Sequence, residues 1–399
     1  MSEIARRLNG VSESATLKLN AMVQALKAKG VDVVNLTAGE PDSNVPEEAK
    51  RAVIDALNAN KSKYTPAAGI PELREAVAQK TNAQQPSVSA KLPWKGSDVV
   101  VTNGGKQALF NAFLALLDPG DEVLIPSPYW LSYPEMVKLA EGTPRILKTS
   151  FADGFKLTPA ELARAVTAKT KALVLNSPSN PTGVMYTREE FRKLGEVLLR
   201  PECRRIWVLS DEIYDKIVFE KVEFASFLDC APELRDRSVT VNGMSKSAAM
   251  TGWRIGWAVA PPSLAPSLIT LQGQSTSNIN ALAQWASLAA LKLPESHFGE
   301  QARSYLRRRN LALEILRKAR KIEVLTPDGA FYIFLGVGQH LKPGEDSMGF
   351  AERLLDQAKV AVVPGTPFGE PGFVRLSFAL DDRSLQEGCE RIVKFLESQ

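Results

Sequence analysis

A chain of 399 residues is too long for one ordinary hydrophobic core, so two structural units are expected, and 44% hydrophobic with 24% charged residues describes a globular protein with ample core material. A net charge of +4 with no basic run interleaved with aromatics excludes a nucleic-acid footprint, and no stretch approaches the roughly 20 apolar residues of a membrane span. Cys203, Cys230 and Cys389 lie far apart without a CxxC, and His297 and His340 are the only histidines, which disfavours a disulfide framework and a metal site and points to a soluble, cytoplasmic protein.

Apolar positions at helical spacing follow Ser14-Ala15-Thr16 and stop at Gly30, which predicts a helix over 14–29 and then a short strand from Val31 to Leu36. Thr37-Ala38-Gly39-Glu40-Pro41-Asp42 is rich in turn residues. Pro46-Glu47-Glu48 opens another helix, with proline and acids in its first turn. Lys63-Tyr64-Thr65-Pro66 reads as a loop before a helix started at Pro71, and 83–95 as a surface loop carrying no chemistry.

Val99-Val100-Val101 is a buried strand, Asn103-Gly104-Gly105 a glycine turn, and Lys106 lies at the start of a helix. There the amides of Gly105 and Lys106 can approach an anion, although a plain helix cap explains the glycines equally. A Walker A loop is excluded, because Val100 and Gln107 stand where it needs glycine and Ser or Thr. The strand through Val123-Leu124-Ile125 leads to Tyr129-Trp130, where an aromatic ordinarily packs in the core. Lys171 to Leu175 is a strand of the doubly buried kind and runs into Asn176-Ser177-Pro178-Ser179-Asn180-Pro181. Trp207 to Ser210 delivers Asp211 and, three positions on, Tyr214; Asp211 is either a helix cap or the acceptor for a protonated ring nitrogen.

Val241 to Trp257 carries the chemistry. Lys246 follows Ser245 among small and apolar residues, and Arg254 stands eight positions later between Gly252 and Gly256. A lysine kept out of bulk water loses part of its preference for the charged form and can attack an aldehyde, while an arginine's planar fork matches phosphate oxygens. Together they point to pyridoxal 5'-phosphate in imine linkage to Lys246; a lone Ser-Lys would be read as a solvated surface lysine. Beyond it, Thr251 to Pro261 reads as a strand, Gly273 to Asn278 as the opening of a helical run, and Arg307-Arg308-Arg309 as a solvated face of a long helix. The stretches Thr326 to Tyr332 and Val362 to Gly365 frame a smaller unit. Its last strand, Phe373 to Phe378, contains Arg375, which ordinarily would pair with an internal acid.

These strings, from about Ser14 to about Phe378, resemble the fold-type I pyridoxal-phosphate-dependent aminotransferases of class I, and most closely the bacterial aspartate aminotransferase branch that includes aspartate/prephenate aminotransferases. The resemblance implies an α/β fold: a large cofactor domain, 47–290, with a mostly parallel seven-stranded sheet flanked by helices, and a discontinuous α+β domain, 1–46 and 291–399, that closes on substrate. It makes Lys246 the catalytic residue. Gly105, Lys106, Ser245 and Arg254 then belong to the cofactor's binding set, with Trp130 stacked on its ring, Asn180 and Tyr214 on its phenolic oxygen and Asp211 on its ring nitrogen. Tyr64 reaches the phosphate of the neighbouring subunit in a homodimer. The amino acid and 2-oxo acid substrates meet Thr16, Gly39, Trp130 and Asn180, with Arg375 on the α-carboxylate and Lys106 on the distal one.

The expected reaction moves the amino group of L-aspartate to 2-oxoglutarate by a ping-pong route, with prephenate as a further substrate. Ser12-Glu13 stand where relatives that use prephenate tend to carry a basic residue, a departure that weighs against that extension. An aromatic or broad-specificity aminotransferase, and a non-catalytic pyridoxal-phosphate-binding module, are the alternatives.

Overall fold

Runs of valine, leucine and isoleucine bounded by turn residues form the strands of a computed structural model that describes residues 5–8, 10–12, 15–219 and 222–398, without the side chains of 6, 15–18 and 20. After the short β1 (Val34–Asn35) come β2 (Val99–Thr102), β3 (Glu122–Pro126), β4 (Thr143–Leu147), β5 (Thr170–Asn176), β6 (Trp207–Asp211), β7 (Ser238–Gly243) and β8 (Gly256–Val259). These last seven make one sheet in the order β2-β8-β7-β6-β5-β3-β4. β3 to β7 run parallel, and β8 is antiparallel to both its neighbours. Every residue of β2, β7 and β8 is buried, as a sheet covered on both faces requires.

Among the described residues the helices are α1 (Ala15–Ala28), α2 (Glu47–Asn58), α3 (Pro71–Gln84), α4 (Pro86–Ser89), α5 (Gly105–Leu116), α6 (Ser132–Leu139), α7 (Pro159–Ala165), α8 (Arg188–Leu198), α9 (Phe227–Cys230), α10 (Ala265–Ser275), α11 (Ala281–Ala290), α12 (Glu295–Leu316), α13 (Ser347–Ala358) and α14 (Asp382–Glu397). One face of the large sheet is sealed by Leu73, Val77, Phe191, Leu194 and Trp257, the other by Leu109, Phe113, Tyr133, Val137 and Leu268. Each such fully buried side chain contributes about 1.5–3 kcal/mol. A further core, with Tyr305, Leu316, Phe331, Phe350, Leu354 and Phe395, lies under a second sheet. There β9 (Glu323–Val324), β10 (Tyr332–Gly336), β12 (Val363–Pro364) and β13 (Phe373–Ser377) pair antiparallel in the order β12-β13-β10-β9, while β11 (Val360–Ala361) pairs with β1.

Register places the site. Asn176 of β5 faces Asp211 of β6, and Asp211 faces Val241 of β7, so these parallel strands end level with one another. The turns beyond them carry Asn180, Tyr214 and Lys246 to one edge, the position where open α/β sheets bind ligands.

Several elements differ from the sequence expectation. The strand over 31–36 contracts to Val34–Asn35, and that over 251–261 to Gly256–Val259. Residues 83–95 are not a bare surface loop: they include α4, and Trp94 is 2% exposed, its Nε1 donating to Gln85 Oε1 at 2.8 Å. Residues 273–275 close α10 rather than opening a helix, because the stronger start signal is Asn280, whose side chain caps α11 by accepting from the Ala283 amide. Nor is the Arg307–Arg309 run simply solvated. Arg308 pairs with Asp42 and Asp382, and Arg309 donates to the Pro327 carbonyl at 2.7 Å.

Candidate active site

A cavity of about 610 Å³ opens at the level ends of β5, β6 and β7, and Gly39, Gly105, Lys106, Trp130, Asn180, Asp211, Tyr214, Ser245, Lys246, Arg254 and Arg375 all line it. Residues from both sheets therefore converge on one space. Two expected members are not placed there. Tyr64 is 91% exposed and away from the lining, and Thr16 lies in α1 with its side chain outside the described residues.

Lys246 occupies the turn after β7, and its amine donates to the Gly39 carbonyl. Burial, aided by Arg375, pushes that amine down to about 8. Asp211, at the end of β6, is pushed the other way, up to about 6 by burial, while Tyr133 Oη donates to its Oδ2 at 2.7 Å and the Ile213 amide to its Oδ1 at 3.3 Å. Arg375, in the middle of β13, is 3% exposed; it donates to Asn180 Oδ1 and to the Thr37 carbonyl, each at 3.0 Å, and its Nε has no partner among the described residues. Tyr214 Oη shares a hydrogen bond of 3.0 Å with Tyr332 Oη, and burial raises its pKa well above the ordinary phenol.

The other end of the cavity is cationic. α5 starts at Gly105 without a side-chain cap and without an acid in its first turn, so the Gly105 and Lys106 amides, both of cavity-lining residues, have no intrahelical partner. Arg254 lies against this start, donating to the Thr251 carbonyl at 3.0 Å and the Asn103 carbonyl at 3.2 Å. Two glycines permit the approach. Gly104 has φ +79°, and a Cβ there would fall 2.7 Å from Arg254 Nη2, while a Cβ on Gly256 would fall 2.4 Å from the Gly105 amide. Gly252 meets no such demand. Lys106 Nζ sits 5.0 Å from the Trp130 ring centroid, and burial with Arg254 nearby lowers its pKa.

Among the described residues Lys106, Lys246, Arg254 and Arg375 have no carboxylate within ion-pairing distance, although all four line one cavity. Such a cluster makes the cavity attractive to anions, although Glu40 and Asp211 line it as well. The sequence reading omitted Tyr133 and Tyr332, which orient Asp211 and Tyr214, and also Gln24, Asn35, Glu40, Asn176 and Thr251 of the lining. Only Tyr133 left a signal, standing one helical turn after Trp130 at the start of α6.

A profile of the family "Aminotransferase class I and II" matches residues 31–392. The chain belongs to this family. Over 99% of its length this aminotransferase is 43% identical to a probable aspartate/prephenate aminotransferase of Aquifex aeolicus, of which it covers 98%. Its fold matches an aspartate aminotransferase of Rhizobium meliloti at a TM-score of 0.93, with 39% identity over 100% of this chain and 99% of that one. It matches the Thermus thermophilus aspartate aminotransferase, solved with maleate, at 0.92, with 42% identity over 99% and 100%. The α/β architecture with its seven-stranded sheet is thus the family's own. Among the described residues this aminotransferase has no helix long and apolar enough to cross a membrane.

Proposed function

We propose that the chain transfers the amino group of L-aspartate to 2-oxoglutarate, giving oxaloacetate and L-glutamate by a ping-pong route, with pyridoxal 5'-phosphate as cofactor. The observation that carries this reading is the set of four cations in one cavity that no carboxylate pairs, with Lys246 acted on by both Arg375 and Arg254, and Arg254 lying against the start of α5. The donor set fits the group. Gly105 and Lys106 amides, Ser245 and Arg254 would hold a phosphate, and the Gly256 contact leaves no room for a side chain there. Asp211 would hold the ring-nitrogen proton, with Tyr133 fixing its orientation, and Asn180 and Tyr214 would bind the phenolic oxygen beside the Trp130 ring.

When bound, the cofactor supplies an electrophilic aldehyde and an electron-accepting ring. Lys246 would supply the amine that holds the aldehyde and, once the incoming amino group has displaced it, the base that takes the Cα proton at Nζ and returns it. Arg375, buried and with a free Nε, grips the α-carboxylate as a fork. Lys106 receives the distal carboxylate, a role consistent with the dicarboxylate maleate in the Thermus structure. The name of the Aquifex relative supports prephenate as a further substrate.

The same reading makes the molecule a cytoplasmic homodimer in which Tyr64 serves the neighbouring site. It sets the large domain at 47–290 and the small one at 1–46 with 291–399; two cores whose buried members all fall within 47–290 support this, while the core under the second sheet also takes in Tyr214, Ile217 and Phe219. The test is a panel of amino donors against 2-oxoglutarate. Aspartate is expected to be the best donor, and Lys106→Ser to lower its kcat/KM by about 10²-fold. Unaltered aspartate turnover in that variant removes Lys106 from the distal-carboxylate role.

A further inference from the structure

One stretch of chain, 37–43, touches both ends of the cavity. The Thr37 carbonyl accepts from Arg375 Nη2 at 3.0 Å, the Gly39 carbonyl accepts from Lys246 Nζ, and Glu40 Oε2 accepts from Thr251 Oγ1 at 2.7 Å. The Thr251 carbonyl in turn receives Arg254 Nη1. A single short strap therefore sets where three cationic groups lie.

The strap has no ladder partner beyond Thr37, whose amide donates to Asn35 Oδ1 at 3.0 Å. Ladder pairing ends at Leu36, whose amide bonds Ala361 and whose carbonyl accepts from Ser377, and residues 38–43 make no backbone-to-backbone hydrogen bond among the described residues. The anchor comes from α12. Arg308 Nη1 lies 2.8 Å from Asp42 Oδ2 and 2.9 Å from Oδ1, while its Nε donates to Asp382 Oδ1 at 3.2 Å at the start of α14. Tyr305 Oη also donates to Asp42, at 3.4 Å, and Gln301 Nε2 spans Ser43 Oγ and the Lys246 carbonyl at 3.4 Å each. The Arg308 side chain is only 12% exposed, so this is a partly dehydrated, charge-assisted contact rather than a surface pair.

We propose that Arg308 is a positioning residue: paired with Asp42 it fixes the 37–43 strap, and through the strap the Lys246 amine and the Arg375 guanidinium. The proposal rests on the reading of those two groups given above. Without Arg308, Asp42 rehydrates at its exposed edge and the strap keeps only the longer contacts from Tyr305 and Gln301 at that end. Displacements of a fraction of an ångström then reach the Gly39 and Thr37 carbonyls.

In the holoenzyme, Arg308→Met is expected to raise KM for aspartate and Kd for maleate about tenfold, lower kcat severalfold, and move the pH midpoint of the bound cofactor's visible absorbance. Arg308→Lys keeps a charge for Asp42 but loses the fork, and is expected to recover part of each effect. Asp42→Asn should reproduce Arg308→Met, the double variant being no worse than either single one, and it carries the test if Arg308→Met does not fold. A lowered melting temperature with maleate affinity and absorbance midpoint both unmoved makes Arg308 merely structural and overturns the proposal. Lys246→Ala separates the two levels: visible absorbance retained there sinks the reading of the site, whereas its loss beside an unmoved midpoint in Arg308→Met and Asp42→Asn sinks only the role of the strap.

Discussion

Lys246 and Asp211 are displaced toward each other on the pH scale by the same cause, burial, acting on a base and on an acid. Because the amine must be neutral to take a proton once substrate has displaced it from the cofactor, burial that lowers it favours the base, and Lys246→Ala is expected to abolish turnover while an unrelated surface lysine variant does not. Glu212, directly after Asp211, offers a cleaner titration. It is 2% exposed, accepts from Ser210 Oγ at 2.9 Å and Ser226 Oγ at 2.8 Å through Oε1, and its Oε2 has no partner among the described residues. Burial raises it to about 7 from 4.5, so between those values the folded chain keeps a proton that the unfolded chain has lost. Stability therefore falls as pH rises across that window, and the full cost is present above about 7. Glu212→Gln keeps the serine contacts and removes the charge; denaturant titrations should show it more stable than wild type at pH 8 by on the order of 2 kcal/mol and nearly equal at pH 4. Parallel wild-type and variant profiles across pH would contradict the burial argument. Lys246 and Arg254 were legible in the sequence from their setting among small residues and glycines, and Asp211 and Asn180 through the family resemblance of the strings that carry them. Tyr332 was not, because its hydroxyl meets Tyr214 only after β10 has folded against a turn more than a hundred residues earlier.

At the scale of elements, the cradle depends on how closely β8 lies under the start of α5. An added methyl at Gly256 would collide with the Gly105 amide, which the backbone can relieve only by moving the helix start away from the anion. Gly256→Ala is expected to weaken cofactor retention at least about tenfold, as read by equilibrium dialysis, with a lowered melting temperature. Thr187 provides the contrast: it caps α8 by accepting from the Glu190 amide, in a reciprocal box that closes with Glu190 on the Thr187 amide. Thr187→Ala should cost about 1 kcal/mol in stability and leave kcat/KM unchanged, because α8 presents no residue to the cavity. Four strands of the large sheet, β2, β3, β5 and β6, were readable from continuous apolar runs, and the parallel sheet followed from their alternation with helices, whereas β4, β7 and β10, which mix polar or glycine positions into their runs, were not read. The same local rules misread 83–95, since Trp94 is buried by an Arg235 guanidinium 3.9 Å from its ring and by Gln85, contacts that no periodicity encodes. They also misplaced the helix boundary near 273–281, where a glycine late in α10 resembles a start signal and the true cap, Asn280, is a single residue.

For the whole molecule, the exposed Tyr64 decides whether one chain makes a complete site. It stands 91% exposed beyond α2, whose Ile54 and Leu57 are also more than half exposed, an arrangement that a monomer gains nothing from. In the homodimer proposed here these residues face the second copy, and Tyr64 completes the phosphate cradle of the other subunit. Complementation tests this directly. Lys246→Ala destroys the site of the chain that carries it, whereas Tyr64→Ala damages the site of its partner. In a hybrid dimer one site then suffers both losses and the other suffers neither. Equal amounts of the two variants, unfolded together and refolded, give hybrids as half of all dimers, so about a quarter of wild-type sites should return with wild-type KM. If Tyr64 instead served its own chain, every site in the mixture would carry one defect or the other, and co-refolding would yield no more activity than the two variants refolded apart.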